Sequence, residues 1–127
     1  MVKNVANEMI RIAVMSCKGI TSGVHRFGGT EYKLGKREIG HVHAFVPEHL
    51  TSACRHGNYL VDIPFPMKVR NELIKNGEAE VHHILPESGW VSFYINNEND
   101  VEKAIALLKK SYMLALEQKG KRNKVEV

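Results

Sequence analysis

The sequence predicts an α+β fold: an antiparallel β-sheet of about five strands with helices packed on one face, in the order α-β-β-β-β-α-β-β-α. Three observations predict it. Short runs that alternate apolar and polar residues recur between turns rich in Gly and Pro. Apolar residues at helical spacing occupy both ends of the chain and one middle segment. Most connections are short enough for antiparallel hairpins. At 127 residues the chain is expected to form one domain, 1–127, with enough length to bury a core without disulfide staples.

The elements follow in order. Residues 5–17 place Ala6, Met9, Ile10, Ala13 and Cys17 on one helical stripe, and Gly19 suits its end. Residues 24–27 read as a short strand and Gly28-Gly29 as a turn. Residues 30–34 alternate, with Tyr32 and Leu34 on one face. The run EIGHVHAF, 38–45, opens the next strand. Its alternation places Ile39, His41, His43 and Phe45 on one face and Val42, Ala44 and Val46 on the other. Residues 47–57 read as a loop carrying His49, Cys54, Arg55 and His56, and 59–63 return as a strand. Pro66 opens a helix whose stripe is Val69, Leu73 and Ile74, ended by Gly77. Residues 81–85 form a strand with His82 and His83 on opposite faces, paired through Pro86-Glu87-Ser88-Gly89 with a strand over 90–96. Asn99 caps a long final helix, with Glu102 as its capping-box partner and Val101, Ala104, Ile105, Leu108, Tyr112, Ala115 and Leu116 as its apolar face.

The composition narrows the function classes. The hydrophobic fraction is 43% and the charged fraction 25%, which is ordinary for a globular protein, and no apolar run reaches membrane-spanning length. The N-terminal residues mix charges among apolar ones, unlike a signal peptide, so the cytoplasm is the expected compartment. Cys17 and Cys54 are neither a metal-spaced pair nor a disulfide framework, although a bridge between them stays open. The net charge of +4 comes largely from Lys119, Lys121, Arg122 and Lys124 in a basic flexible tail, 119–127. The aromatics are not interleaved with basic residues as a stacking surface requires, so a nucleic-acid partner is not expected.

The chemistry concentrates in histidines. His41 and His43 offer two nitrogen donors from one strand face, and His82 or His83 with Asp62 would extend the set. A transition metal is one use, with His41, His43 and His82 as its ligands. Proton transfer without a metal is the other, with His41, His43 and His83 as catalytic groups. In that case Asp62 orients an imidazole, Arg70 or Arg55 holds an anionic oxygen, Trp90 walls an aromatic ligand, and His82 is a further substrate-binding residue. Trp90 also suits a core position under the last helix, and Arg70 a solvated helix face. No Gly-X-Ser-X-Gly nucleophile and no phosphate-binding glycine loop are present.

The runs Phe27-Gly28-Gly29-Thr30-Glu31-Tyr32-Lys33-Leu34-Gly35, Glu38-Ile39-Gly40-His41-Val42-His43 and Val61-Asp62-Ile63-Pro64-Phe65-Pro66 resemble the luciferase-like domain family. So do Arg70-Asn71-Glu72-Leu73, Ala79-Glu80-Val81-His82-His83, Pro86-Glu87-Ser88-Gly89-Trp90-Val91, and the helix from Asp100 to Ser111-Tyr112. The likeness spans about 28–112. That family is named for fungal bioluminescence enzymes and includes many small bacterial proteins. The fungal enzymes oxidise a hydroxylated pyrone with molecular oxygen and need no added cofactor. The resemblance therefore implies a pocket containing His41, His43, Asp62, His83 and Trp90, a small enolic or phenolic ligand, and no cofactor. Three readings stand: an enzyme of this kind, a module that binds a metabolite, metal or protein (a second copy included) through the open sheet face, and a weak nucleic-acid binder. A concave histidine pocket, a flat apolar face or a basic stripe would separate them.

Overall fold

The computed structural model describes residues 3–25, 28–43 and 59–126. Phe45, Val46, His49, Cys54, Arg55 and His56 lie outside the described residues. Helix α1 (Lys3–Met15) leads into β1 (Ile20–Val24), β2 (Thr30–Leu34), β3 (Arg37–Val42) and β4 (Tyr59–Pro64). Helix α2 (Met67–Lys75), β5 (Glu80–Val81), β6 (Trp90–Ile95) and the long helix α3 (Glu98–Glu126) complete the order. The strands form one sheet, β1-β2-β3-β4-β6-β5, antiparallel at every pair. The predicted class and element order hold, with six strands rather than about five.

The core lies between the sheet and the helices. Tyr59, Val61 and Ile63 of β4 and Val91 and Ile95 of β6 point into it. Val101, Ala104, Leu107, Leu108, Tyr112 and Ala115 supply the α3 side. The buried stripe of α1 is Ala6, Ile10 and Val14 rather than the expected Ala6, Met9, Ile10, Ala13 and Cys17; Met9 is 44% exposed. Spacing of i, i+4, i+8 wins because α1 packs against α3 as well as β1, which rotates the contact stripe. Two hydrogen bonds tie α3 down: Ser111 Oγ donates to Pro64 O at 3.1 Å, and Tyr112 Oη to Lys18 O at 2.7 Å.

Local rules account for the other boundaries. Helix α2 starts after Pro66 and ends at Gly77 (φ 73), where the Gly77 amide donates to Ile74 O and the Glu78 amide to Leu73 O. That is a Schellman closure. The cap of α3 is two residues earlier than expected. Asn97 Oδ1 accepts from the Asp100 amide at 3.0 Å, and Asp100 Oδ2 accepts from the Asn96 amide at 2.9 Å. The helix then runs through the basic run to Glu126.

The feature that positions the site is a bulge in β3. Tyr32 faces Gly40 and Lys33 faces Glu38, so Ile39 is an extra residue on β3. The slip changes the parity of the strand. Ile39 and Val42 both enter the helix-side core, and His41 leaves on the opposite face. Ile39 therefore does not share the histidine face, as plain alternation predicted. Gly40 is required here: its φ is +152°, and a Cβ would lie 2.4 Å from Leu108 Cδ2.

Candidate functional site

The site lies on the sheet face away from the helices. The register aligns Glu31, His41, Asp62, Ser92 and Glu80 in a row across five strands. In β4, Leu60 and Asp62 occupy this face while Tyr59, Val61 and Ile63 occupy the core. Three inner members of the row are polar and buried: His41 at 7% exposure, Asp62 at 1% and Ser92 at 0%. This burial exists within the single chain. Buried polar groups need partners, and here they find them in one another.

Asp62 is the hub. Its Oδ2 lies 2.8 Å from His43 Nε2, 3.0 Å from His83 Nε2, 3.2 Å from His41 Nε2 and 3.4 Å from His82 Nε2. Its other oxygen, Oδ1, accepts from Ser92 Oγ at 2.7 Å. His43 sits one residue past β3 and is held by its amide, which donates to Leu60 O at 2.9 Å. Glu38 receives His41 Nδ1, which fixes the ring between two carboxylates.

His82 and His83 do not alternate across a strand, as the sequence suggested. β5 stops at Val81, and the chain then turns. His82 Nδ1 accepts from the amides of Ile84 and Leu85 at 3.1 and 3.0 Å. The two rings stack 4.4 Å apart, and both send Nε2 toward Asp62. The His83 amide donates to Ser92 Oγ at 3.3 Å.

Trp90 belongs to this face too. It is half-buried, with its ring centroid 5.4 Å from that of His41 and 6.1 Å from that of His82. It is not part of the core beneath α3. Arg70 is placed elsewhere: its guanidinium donates to Asn71 Oδ1 at 2.8 Å and to Pro86 O, clipping α2 to the connection before β6.

Three participants escaped the sequence reading. His25 closes the β1–β2 turn, where its amide donates to Gly29 O at 3.1 Å, and its ring stacks on His41 at 3.9 Å and 21°. Glu38 and Ser92 are the others. Strand alternation at Ser92 was a usable signal once β6 was known to pair with β4. No sequence signal marked His25 beyond its residue type.

The electrostatics follow from burial and contact. Burial disfavours the charged form of Asp62, but hydrogen bonds from His41, His43, His82 and Ser92 outweigh it and hold the carboxyl well below its usual range. Burial pushes His41 down, and the hydrogen bonds to Asp62 and Glu38 reverse this, raising it to about 9. His83 is lowered, by burial first and by His82 and His43 in addition, with Asp62 opposing. Burial and the neighbouring His41 lower His25. One face thus carries an imidazole that keeps its proton at neutral pH beside one that gives it up.

Among the described residues, three sets of side chains bring ligating atoms within 4.8 Å of one another: His41, His43 and Asp62; Asp62, His82 and His83; and His25, Glu38 and His41. The expected metal set of His41, His43 and His82 is thus divided, with Asp62 completing the first pair. No helix among the described residues is long and apolar enough to cross a membrane.

No curated protein and no solved structure matches the chain. A family model described as the luciferase domain matches residues 52–111. That stretch carries Asp62, His82, His83, Trp90 and Ser92, and over it the chain is similar to the luciferase domain.

Proposed function

We propose that this protein is an enzyme that oxidises a small enolic or phenolic compound with molecular oxygen at the Asp62 cluster. The observation that carries the reading is the convergence of His41, His43, His82 and His83 on one buried carboxylate oxygen. Perturbed, clustered titratable groups beside an aromatic wall are the usual composition of a reaction centre.

The environments divide the labour. His83, kept neutral, takes the proton of the substrate hydroxyl. His41, kept protonated, holds the resulting enolate oxygen. The enolate carbon passes one electron to oxygen, and the two radicals combine into a new C–O bond. The peroxide anion so formed recovers the proton from His83. Enol plus O2 becomes a hydroperoxide, with no further reductant. Trp90 provides the flat face against which a planar ring lies.

The test is oxygen uptake by the purified chain with hydroxypyrones and polyphenols as substrates. Uptake that is saturable, and lost in His83→Ala while the fold persists by circular dichroism, supports the reading. Thermal stabilisation by such a compound without oxygen uptake would point instead to a non-catalytic binding module.

A further inference from the structure

We infer that His41, His43 and Asp62 form a binding site for one divalent first-row transition ion, and that His82 is excluded from it. The inference rests on the reading of this cluster as the reaction centre: the ion displaces the Nε2 proton of His41 and takes over from that imidazolium as the holder of the enolate oxygen.

Asp62 Oδ2 has more neighbours than it can accept from. A carboxylate oxygen offers about two lone-pair sites. Asp62 Oδ2 has four imidazole nitrogens within 3.4 Å. Hydrogen bonding alone does not use so many donors on one oxygen. Ligands bound to one metal at ~2.1 Å lie roughly 3 Å apart, and His41 and His43 stand 3.2 and 2.8 Å from Asp62 Oδ2.

The surrounding shell fits an ion as well. A ligating imidazole usually donates its other N–H to a carboxylate, and a ligating carboxylate is itself hydrogen-bonded. His41 has Glu38 at Nδ1, which leaves the lone pair at Nε2. Asp62 has Ser92 at Oδ1, which leaves Oδ2. Two histidines and one carboxylate, each supplying a single atom, form the facial set that leaves further positions open on an iron-type ion.

The tautomer of His82 removes it as a competing ligand. His82 Nδ1 accepts two backbone N–H bonds, so the neutral ring carries its proton on Nε2. That nitrogen faces Asp62 without a lone pair. The set of Asp62, His82 and His83 therefore lacks one of its three ligands, and His82 acts as a fixed donor. The set of His25, Glu38 and His41 uses the partly exposed Glu38, whereas His41, His43 and Asp62 are all buried.

The experiment uses the full, tag-free chain stripped with chelator and titrated with Co(II), read by calorimetry and visible absorption. One equivalent is expected, with a d–d band. His43→Ala and Asp62→Ala should weaken binding by about 100-fold or more, and Glu38→Gln by about 10-fold. His82→Ala removes only a donor to Asp62 and should weaken binding by no more than about 10-fold, leaving the band in place. Glu38→Gln keeps the test decisive if the ligand variants do not fold. Absence of stoichiometric binding by the folded wild type overturns the inference, as does an equal loss in His82→Ala and His43→Ala. Oxygen uptake by the metal-free chain at the full rate would overturn the metal site and leave the proposed oxidation standing. Tight Co(II) binding with no uptake by the Fe(II)-loaded chain would do the reverse.

Discussion

His43 and Asp62 stand 19 residues apart in the chain, and their side chains meet at 2.8 Å. The contact closes the sheet between β3 and β4, and it adds one of several donors to a carboxylate that no solvent reaches. The two partners are therefore unequal. Asp62→Ala strands several histidines without their shared acceptor and should cost about 3–5 kcal/mol, the range for breaking a buried charged network from its hub. His43→Ala leaves the other donors in place and should cost less, about 1–3 kcal/mol. Urea unfolding of both variants in chelator gives the comparison. Equal midpoints would remove Asp62 from its central place.

The same hub sets a pH dependence for the metal-free protein. His41 binds its proton more tightly when folded, with its pKa raised to about 9. Its contribution is complete below the unfolded value near 6.5 and is lost as pH rises through about 9. His25 and His83 are lowered in the folded state. Below about 6.5 the unfolded chain takes up protons that these rings refuse, so stability falls with falling pH. A maximum near the histidine range follows, declining on both sides. Urea midpoints measured from pH 5 to about 10 should trace it. His41→Gln should flatten the alkaline limb while preserving the acid one; an unchanged alkaline limb would assign that slope to other groups.

Gly40 should tolerate no side chain. An added Cβ meets Leu108 Cδ2 at 2.4 Å and Asp62 O at 3.1 Å, on a backbone at φ +152°. Gly40→Ala is expected to cost about 1–3 kcal/mol through overpacking and backbone strain together. The two parts separate in a double-mutant cycle. In a Leu108→Ala background the clash with Leu108 disappears while the contact with Asp62 O and the strain remain, so the alanine at position 40 should cost less there than in the wild type. Equal costs in both backgrounds would place the whole penalty in the backbone.

The bulge at Ile39 also explains how far the sequence could be read. Element order and class were legible because apolar spacing and turn residues are local properties. The pairing of His41 with His43 on one face was legible for the same reason. Ile39 was not, because a bulge depends on the partner strand and on the room that Leu108 leaves beside Gly40. His82 and His83 were assigned opposite faces from a strand rule that ceases at Val81, where two backbone amides turn onto His82 Nδ1. His25 and Ser92 reach the site only through pairings and turns that no local pattern encodes. Arg70 has the right chemistry for an anion holder, and its guanidinium donates to Pro86 O and Asn71 Oδ1.

Ser92 joins the two halves of the site, which makes it the most informative small residue to change. Its Oγ donates to Asp62 Oδ1 at 2.7 Å and accepts from the His83 amide at 3.3 Å, in a position with no exposure. Ser92→Ala removes both bonds and opens no large cavity. It should cost about 1–3 kcal/mol, the penalty for leaving a buried carboxylate oxygen and an amide without a partner. Ser92→Thr keeps the hydroxyl and should recover part of that loss to the extent that the added methyl fits. The site effect is separable from the stability effect. Without Ser92 the carboxylate is free to rotate about its bond to Cβ, so Co(II) affinity should drop by about 10-fold in Ser92→Ala at temperatures where the protein remains folded. An alanine variant with lowered stability and unchanged Co(II) affinity would make Ser92 a structural residue only, with no part in aiming Asp62.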